Sequence, residues 1–115
     1  HPHCIEPVQW LNDGKTICFY ALGNIVAAQY DLSKIEMMAA LTINKTTYGD
    51  GRIEISLSDL KTDLMYCYFD ANCRNFDVIP FPQMEDAHLA NCMDVYEQYK
   101  AVVTQMDPSI PIGGF

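Results

Sequence analysis

Five cysteines in 115 residues constrain the fold of this chain more than any other feature. Such a density is typical of proteins that fold in an oxidising compartment and are held together by disulfides. The number is odd, so two internal bridges leave one thiol over, and fifteen arrangements are open. A bridge from either early cysteine to a later one would close a long loop and stabilise the fold by about 2–4 kcal/mol. The candidates are Cys4, Cys18, Cys67, Cys73 and Cys92. The leftover thiol predicts a free cysteine or a disulfide-linked homodimer.

Two further features favour the same compartment. The chain begins with His1 and has no charged-then-apolar leader, which is the pattern of a mature secreted chain. Asn44 begins the triplet Asn-Lys-Thr, an N-glycosylation acceptor. We therefore expect one secreted, extracellular domain over residues 1–115.

The charge of the chain narrows the range of partners. Seven basic and fifteen acidic side chains give a formal charge of −8. Nucleic acids are disfavoured as partners because their binding depends on lysine and arginine at phosphates. No apolar run reaches the length of a membrane span, so no membrane insertion is expected. The partners that fit this charge are an extracellular protein with a basic patch, a cation or a neutral small molecule.

Most of the chain has the pattern of antiparallel strands. Residues 7–15 read as an apolar segment that ends in a turn at residues 12–14, and residues 16–22 as a buried strand. Residues 25–41 leave helix and strand open, and we favour a strand over residues 36–48 because a glycine-rich hairpin turn follows at residues 49–51. Alternation over residues 53–57 predicts a strand with one buried and one wet face, and a further strand centres on residues 64–69. Residues 71–82 are expected to be irregular.

The C-terminal part of the chain predicts one long helix. Apolar residues recur at steps of three and four over residues 83–106, which is the stripe of an amphipathic helix. The fold class is therefore α+β: a small antiparallel sheet or partly open barrel, covered by a long C-terminal helix and stapled by disulfides.

The segment His1-Pro2-His3-Cys4 raises the question of a metal site. An N-terminal histidine can chelate copper through its amino group and ring, with His3 or His88 completing the site. Pro2 blocks the alternative copper geometry that uses backbone amide nitrogens, because it has no amide proton. A flexible terminus left by processing is the favoured explanation of the segment, so no metal or other cofactor is expected.

A zinc site and a catalytic pair can be drawn from the later cysteines. His88 and Cys92 stand one helical turn apart, but Cys67 and Cys73 are spaced more widely than in a zinc knuckle. His88 and Cys92 could also form a nucleophile pair, although nothing local supplies a third group. The chain contains no nucleotide-binding or hydrolase motif, so we expect no enzymatic activity.

Aromatic residues over 64–70 suggest a surface for a partner. In a strand, Tyr66 and Tyr68 point to one face while Met65, Cys67 and Phe69 point to the other. If one face is exposed, Tyr66 and Tyr68 are candidates for partner binding, since tyrosine is enriched at binding hot spots. Burial of both faces is the competing expectation.

The cysteine layout resembles that of a known family. Cys4 and Cys18 near the start, Cys67 and Cys73 after the strands, and Cys92 in a terminal helix resemble the netrin-like module, as in tissue inhibitors of metalloproteinases. The resemblance implies a five-stranded barrel with an N-terminal segment stapled to it. Those inhibitors begin with a cysteine whose amino group contacts the catalytic zinc. Here three residues precede Cys4, so the resemblance implies a staple at Cys4 rather than an inhibitory contact.

These observations favour a secreted, non-enzymatic domain that binds an extracellular protein, as an effector or inhibitor. The first alternative is a carrier of a small apolar ligand, in a pocket between sheet and helix lined by Met84, Tyr96 and Tyr99. The second is a copper- or zinc-binding protein that uses His1, His3 and His88.

Overall fold

The N-terminal residues form a two-stranded antiparallel sheet. The computed structural model describes residues 2–115, apart from the side chain of Leu32. Strands β1 (Val8–Leu11) and β2 (Thr16–Phe19) pair in register from Val8 opposite Phe19 to Leu11 opposite Thr16. The turn residues Asn12, Asp13 and Gly14 all have positive φ, a conformation that asparagine, aspartate and glycine tolerate best. The turn is confirmed. A strand does follow it, but β2 ends at Phe19 rather than at residue 22, and none of its residues is buried.

The second sheet is built on a long hairpin. A short 3₁₀ helix (Asp31–Lys34) leads into β3 (Ile35–Thr47), which pairs antiparallel with β4 (Ile53–Tyr68). The strand predicted over residues 36–48 and the glycine-rich hairpin turn are confirmed, with the Tyr48 amide donating to the Arg52 carbonyl at 2.9 Å. A third strand, β5 (Asp77–Pro80), pairs with residues 65–68 of β4. The sequence predicted irregular structure there, and Pro80 is accommodated because β5 is an edge strand.

A β-bulge joins what the sequence predicted as two separate strands. Ala40 lies opposite Lys61 but Thr42 lies opposite Ser58, so β4 holds one extra residue between these pairs. Asp59 within it has φ 55°. On the face of β4 that carries the isoleucines, the apolar residues are Ile53, Ile55 and Leu57 before the bulge and Leu64 and Tyr66 after it, so their numbering changes from odd to even. The extra residue therefore keeps them on one face, since a one-residue slip reverses the faces of a strand.

The C-terminal helix is shorter than predicted. Helix α1 spans Cys92–Val103, whereas the sequence predicted a helix over residues 83–106. A 3₁₀ turn (Phe81–Gln83) and a series of turns precede it, and Asn91 before the helix is left-handed with φ 54°. The Asp86 carboxylate accepts a hydrogen bond from the Cys92 amide at 3.2 Å. This contact satisfies a free amide of the first turn, so the helix begins at Cys92.

Apolar packing from both ends of the chain forms the core. It contains Ile5 and Val8, the side chains of Ile35 and Leu64 from the long hairpin, and Ile110 from the tail. In the same core, the rings of Phe81 and Tyr96 stack with their centroids 5.2 Å apart. The fold is α+β, with two separate antiparallel sheets and one C-terminal helix rather than a barrel. Among residues 2–115, no helix has the length and apolar content needed to cross a bilayer.

The predicted disulfide staples are wrong for this structure. Within residues 2–115, which include every cysteine, no two thiols lie at disulfide distance. Packing and hydrogen bonds hold the ends instead. The Trp10 amide donates to the Asp107 carboxylate at 3.1 Å, and the Gly113 amide donates to the Thr62 carbonyl at 3.0 Å.

The molecule is elongated. Its principal extents are 61, 27 and 27 Å and its Cα radius of gyration is 16.8 Å, against about 13 Å for a compact chain of this length. The length comes from the distal half of the β3–β4 hairpin. We call residues 42–58 the arm and the rest of the molecule the body.

Candidate functional site

The arm has one apolar and one polar face. In the register of the hairpin, Ile43 lies opposite Leu57, Lys45 opposite Ile55, and Thr47 opposite Ile53. Directly opposed residues of an antiparallel pair share a face, so the three isoleucines and Leu57 share one face with Lys45 and Thr47. The other face is polar throughout and consists of Thr42, Asn44, Thr46, Glu54, Ser56 and Ser58.

The apolar face of the arm is exposed. The side chains of Ile43, Ile53 and Ile55 are 68, 57 and 65 % accessible, and Leu57 is half-buried. The sequence predicted that this face would be buried, and that expectation is wrong. The same face of the hairpin carries Ile35, Met37, Leu64 and Tyr66 in the body, where the core covers them. The arm therefore extends this core-facing surface past the point where the rest of the protein covers it.

Local contacts hold the tip of the arm. The Tyr48 hydroxyl donates to the Glu54 carboxylate at 2.6 Å, and this bond raises the pKa of Tyr48. Arg52 pairs with Asp50 at 2.7 Å and lies over the Tyr48 ring at 4.6 Å. The pairing with Arg52 lowers the pKa of Asp50. With Lys45, these groups give the arm two positive and two negative charges, so the formal charge of −8 belongs to the body.

The glycosylation candidate lies on the polar face. Asn44 is exposed, and its side-chain amide donates to the Ser58 hydroxyl at 3.2 Å. A glycan attached there would extend from the polar face and leave the isoleucines of the other face uncovered.

A groove runs beside β4 at the arm. It has a volume of about 430 Å³ and is bounded by Gly14 and Lys15 of the β1–β2 turn. Its other side is lined by five consecutive residues of β4: Ile53, Glu54, Ile55, Ser56 and Leu57. Consecutive residues of a strand point to opposite faces. A groove that touches all five therefore follows the edge of the strand rather than either face.

The two tyrosines predicted to bind a partner are not on an open surface. Tyr66 is 6 % accessible and belongs to the core, where burial raises its pKa. Tyr68 is half-buried and meets the ring of His88 edge-on, with centroids 5.8 Å apart. These residues are packed because β5 and the segment before α1 cover the body end of β4. The exposed apolar surface lies instead on the arm, which sequence reasoning missed although the alternation over residues 53–57 was its signal.

The two metal candidates that the structure describes, His3 and His88, have different hydrogen-bond partners. The third candidate, His1, lies outside the described residues. The His3 ring bonds to the Asn24 side chain at 3.0 Å, while the His88 ring nitrogen accepts a bond from the Glu85 amide at 3.2 Å. Residues 2–115 contain no group of three histidine, cysteine or acidic side chains arranged for a metal ion.

The cysteines occupy different environments. Cys4 and Cys73 are exposed, Cys18 is intermediate, and Cys67 and Cys92 are buried. Burial raises the pKa of the Cys92 thiol, and its neighbour Asp86 acts in the same direction. A raised pKa keeps the thiol protonated and unreactive at neutral pH. A disulfide-linked homodimer therefore remains a prediction for the two exposed thiols, Cys4 and Cys73.

The side chains predicted to line a carrier pocket contribute to packing. Tyr96 donates a hydrogen bond to the buried Asp63 carboxylate at 2.9 Å, and burial raises the pKa of Tyr96 to about 12. Met84 and Tyr99 pack against the same core. The carrier hypothesis stays a prediction.

Comparison of the chain with protein-family models, curated proteins and solved structures found no match. The netrin-like resemblance therefore stays a hypothesis based on cysteine spacing.

Proposed function

We propose that this protein is a secreted, non-enzymatic domain that binds an extracellular protein through the apolar face of its arm. The observation that supports this most is the exposure of Ile43, Ile53 and Ile55 side by side on residues 42–58. Single exposed apolar side chains are ordinary, but a contiguous row of them marks an interaction surface.

The free energy available at this face is large enough for binding. Burying one isoleucine side chain fully is worth about 1.5–3 kcal/mol. Three of them that are more than half exposed therefore offer several kcal/mol to a partner that covers them. The paired strands hold these side chains in place in the free protein, which reduces the ordering cost of binding.

The distribution of charge points to the chemistry of the partner. The arm has no net charge, while the body that adjoins it has a formal charge of −8. A partner whose apolar patch is flanked by lysine and arginine would meet the arm and the acidic body together. Such complementarity mainly accelerates association and makes it sensitive to salt.

The extracellular setting rests on Asn44 at an accessible, polar position, and with no two thiols at disulfide distance the cysteine content adds no support to it. In that setting the protein acts as an effector or inhibitor by occupying a surface of its partner. No catalytic group is required for this role.

The experiment first identifies a partner and then measures its affinity. A photo-crosslinking amino acid replaces Ile43, and the protein is incubated with extracellular material. The same amino acid in place of Thr42, on the polar face, is the control. A protein crosslinked only from position 43 is purified, and its Kd is measured by calorimetry. We expect Ile43→Ser to weaken binding at least tenfold, about 1.4 kcal/mol, and Thr42→Ala to leave it within about twofold.

Two results would contradict the proposal. One is a partner that binds Ile43→Ser as tightly as the wild-type protein. The other is the absence of any crosslink that distinguishes the two faces. Capture alone does not count in its favour, since an exposed apolar face also traps proteins non-specifically.

A further inference from the structure

The outer edge of β4 is open along the arm. At the body end of β4, residues 65–68 are paired with β5, and the Thr62 carbonyl accepts bonds from the amides of Gly113 and Gly114. Within residues 2–115, no strand pairs with this edge from Ile53 to Lys61. An unpaired edge offers a row of backbone donors and acceptors, which is a template for another strand.

The open edge adjoins the groove described above. The groove is lined by Ile53–Leu57 on one side and by Gly14 and Lys15 of the exposed β1–β2 turn on the other, so this turn has to move aside when a further strand pairs with the edge.

The sequence along this edge is complementary to itself. When two copies of residues 53–57 pair antiparallel with Ile55 on the two-fold axis, Ile53 lies opposite Leu57 of the second copy. Glu54 then lies opposite Ser56 of the second copy. Apolar side chains meet on one face and polar ones on the other, and no like charges are opposed, as stable cross-strand pairing requires. A shift by one residue would oppose apolar to polar side chains.

We propose that two copies of this protein associate by pairing their β4 edges over Ile53–Leu57. The result is a continuous four-stranded sheet in the order β3-β4-β4-β3 around a two-fold axis. Such an interface uses the same surface on both copies, as in most homodimers.

The charge distribution favours this surface over the rest of the molecule. Two bodies of formal charge −8 repel each other, but the arm is neutral. Because the molecule is 61 Å long, pairing at the arms keeps most of the two bodies apart. The screening length at physiological salt is about 8 Å, so most of the repulsion is lost over such separations.

The size of the contact sets its strength. Five residues of a strand extend about 17 Å, and one strand edge of that length buries less than the ~800 Å² per partner of a stable complex. The dimer is therefore reversible and depends on concentration. The dimer also places Ile43 and Ile55 of both copies on one face, which doubles the apolar surface offered to the proposed partner. The dimer itself does not depend on that proposed function.

The test changes charge at the edge and measures the dimer. Sedimentation velocity is run from about 10 μM to about 1 mM protein, with a reductant present to exclude disulfide-linked dimers through Cys4 or Cys73. Ser56→Glu places two pairs of like charges opposite each other and should raise the dimer Kd at least tenfold. Ser56→Lys creates two opposite-charge pairs with Glu54 and should lower it. The double variant Glu54→Lys with Ser56→Glu should restore association, because positions 54 and 56 of the two copies then carry opposite charges.

A matched control lies on the same polar face. Asn44 is opposite Ser56 within the hairpin but one strand further from the second copy. Asn44→Glu should leave the dimer Kd within about twofold, and circular dichroism confirms the fold of each variant.

Several outcomes would overturn the proposal. These are a wild-type protein that stays monomeric throughout the range, or a dimer that is indifferent to both charges at position 56. A monomer whose edge binds an extended peptide from another protein would also overturn it. The proposed function is judged separately, because Ile43→Ser acts on β3 while the charges at position 56 act on the edge of β4.

Discussion

Glu36 is the residue whose burial is hardest to reconcile with its charge. It lies on β3, is 1 % accessible, and neither carboxyl oxygen makes a well-formed hydrogen bond. Burial raises its pKa from 4.5 to about 7, and the backbone amide of Asn24 offsets part of this effect. The carboxyl contacts the backbone at Gly23, where φ is +81° and an added Cβ would collide with it. Glycine is therefore required at position 23 for two reasons: its conformation and its space.

The pKa of Glu36 predicts a stability that falls as pH rises. The pKa in the folded state exceeds the ordinary value of 4.5, so the folded state binds the proton more tightly than the unfolded state. The free energy of unfolding should therefore decrease between about pH 4.5 and about pH 7, by at most about 3 kcal/mol. Glu36→Gln should remove this decrease and be more stable than the wild-type protein at pH 8.

Urea unfolding at pH 5 and pH 8 measures the effect, with the exposed Glu85→Gln as the control. If Glu36→Gln keeps the wild-type dependence on pH, the carboxyl does not titrate as its burial implies.

At the level of elements, local patterns in the sequence anticipated some features and missed others. The turn at residues 12–14 and the hairpin turn at residues 49–51 were predictable because glycine, asparagine and aspartate mark positive φ. The start of the helix was not predictable. The apolar spacing continues through residues 83–91, but the left-handed Asn91 and the Asp86–Cys92 hydrogen bond make the helix begin only at Cys92. Periodicity reports which residues are apolar, whereas the start of the helix depends on the backbone conformation and the hydrogen bonds of the residues just before it.

The candidate site was missed for a related reason. The alternation of Ile53, Ile55 and Leu57 was evident, but alternation normally predicts burial of the apolar face. Whether another element covers that face depends on the length of the hairpin relative to the body. The bulge at Asp59 joins the two predicted strands into one strand, β4, of 16 residues. No local sequence pattern indicates this bulge.

The bulge gives a prediction for β4. Asp59 is held at φ 55°, which glycine adopts freely and β-branched residues strongly resist. Asp59→Gly should leave the free energy of unfolding within about 1 kcal/mol of the wild-type value, and Asp59→Val should lower it by about 1–2 kcal/mol. Chemical denaturation measures both. Equal stability of the two variants would mean that the left-handed conformation is not required.

At the scale of the whole molecule, the body and the arm have separable roles. The buried core draws residues from Ile5 to Ile110, yet none of its members lies within residues 42–58. Nothing in the packing of the body therefore needs the arm. An exposed apolar projection that contributes little to the core is a feature that stability alone does not explain.

This separation predicts that the body folds without the arm. Thr42 and Ser58 are opposed in the hairpin, so replacing residues 43–57 by Asn-Gly joins them through a two-residue turn of favoured type. The shortened protein should unfold cooperatively, within a few degrees of the wild-type Tm, since the core is unchanged. Its radius of gyration should fall from 16.8 Å toward about 13 Å, as measured by small-angle scattering. Partner binding and self-association should both be lost. A shortened protein that fails to fold would show instead that the arm is part of the folding unit, and its exposed isoleucines would then need a structural explanation.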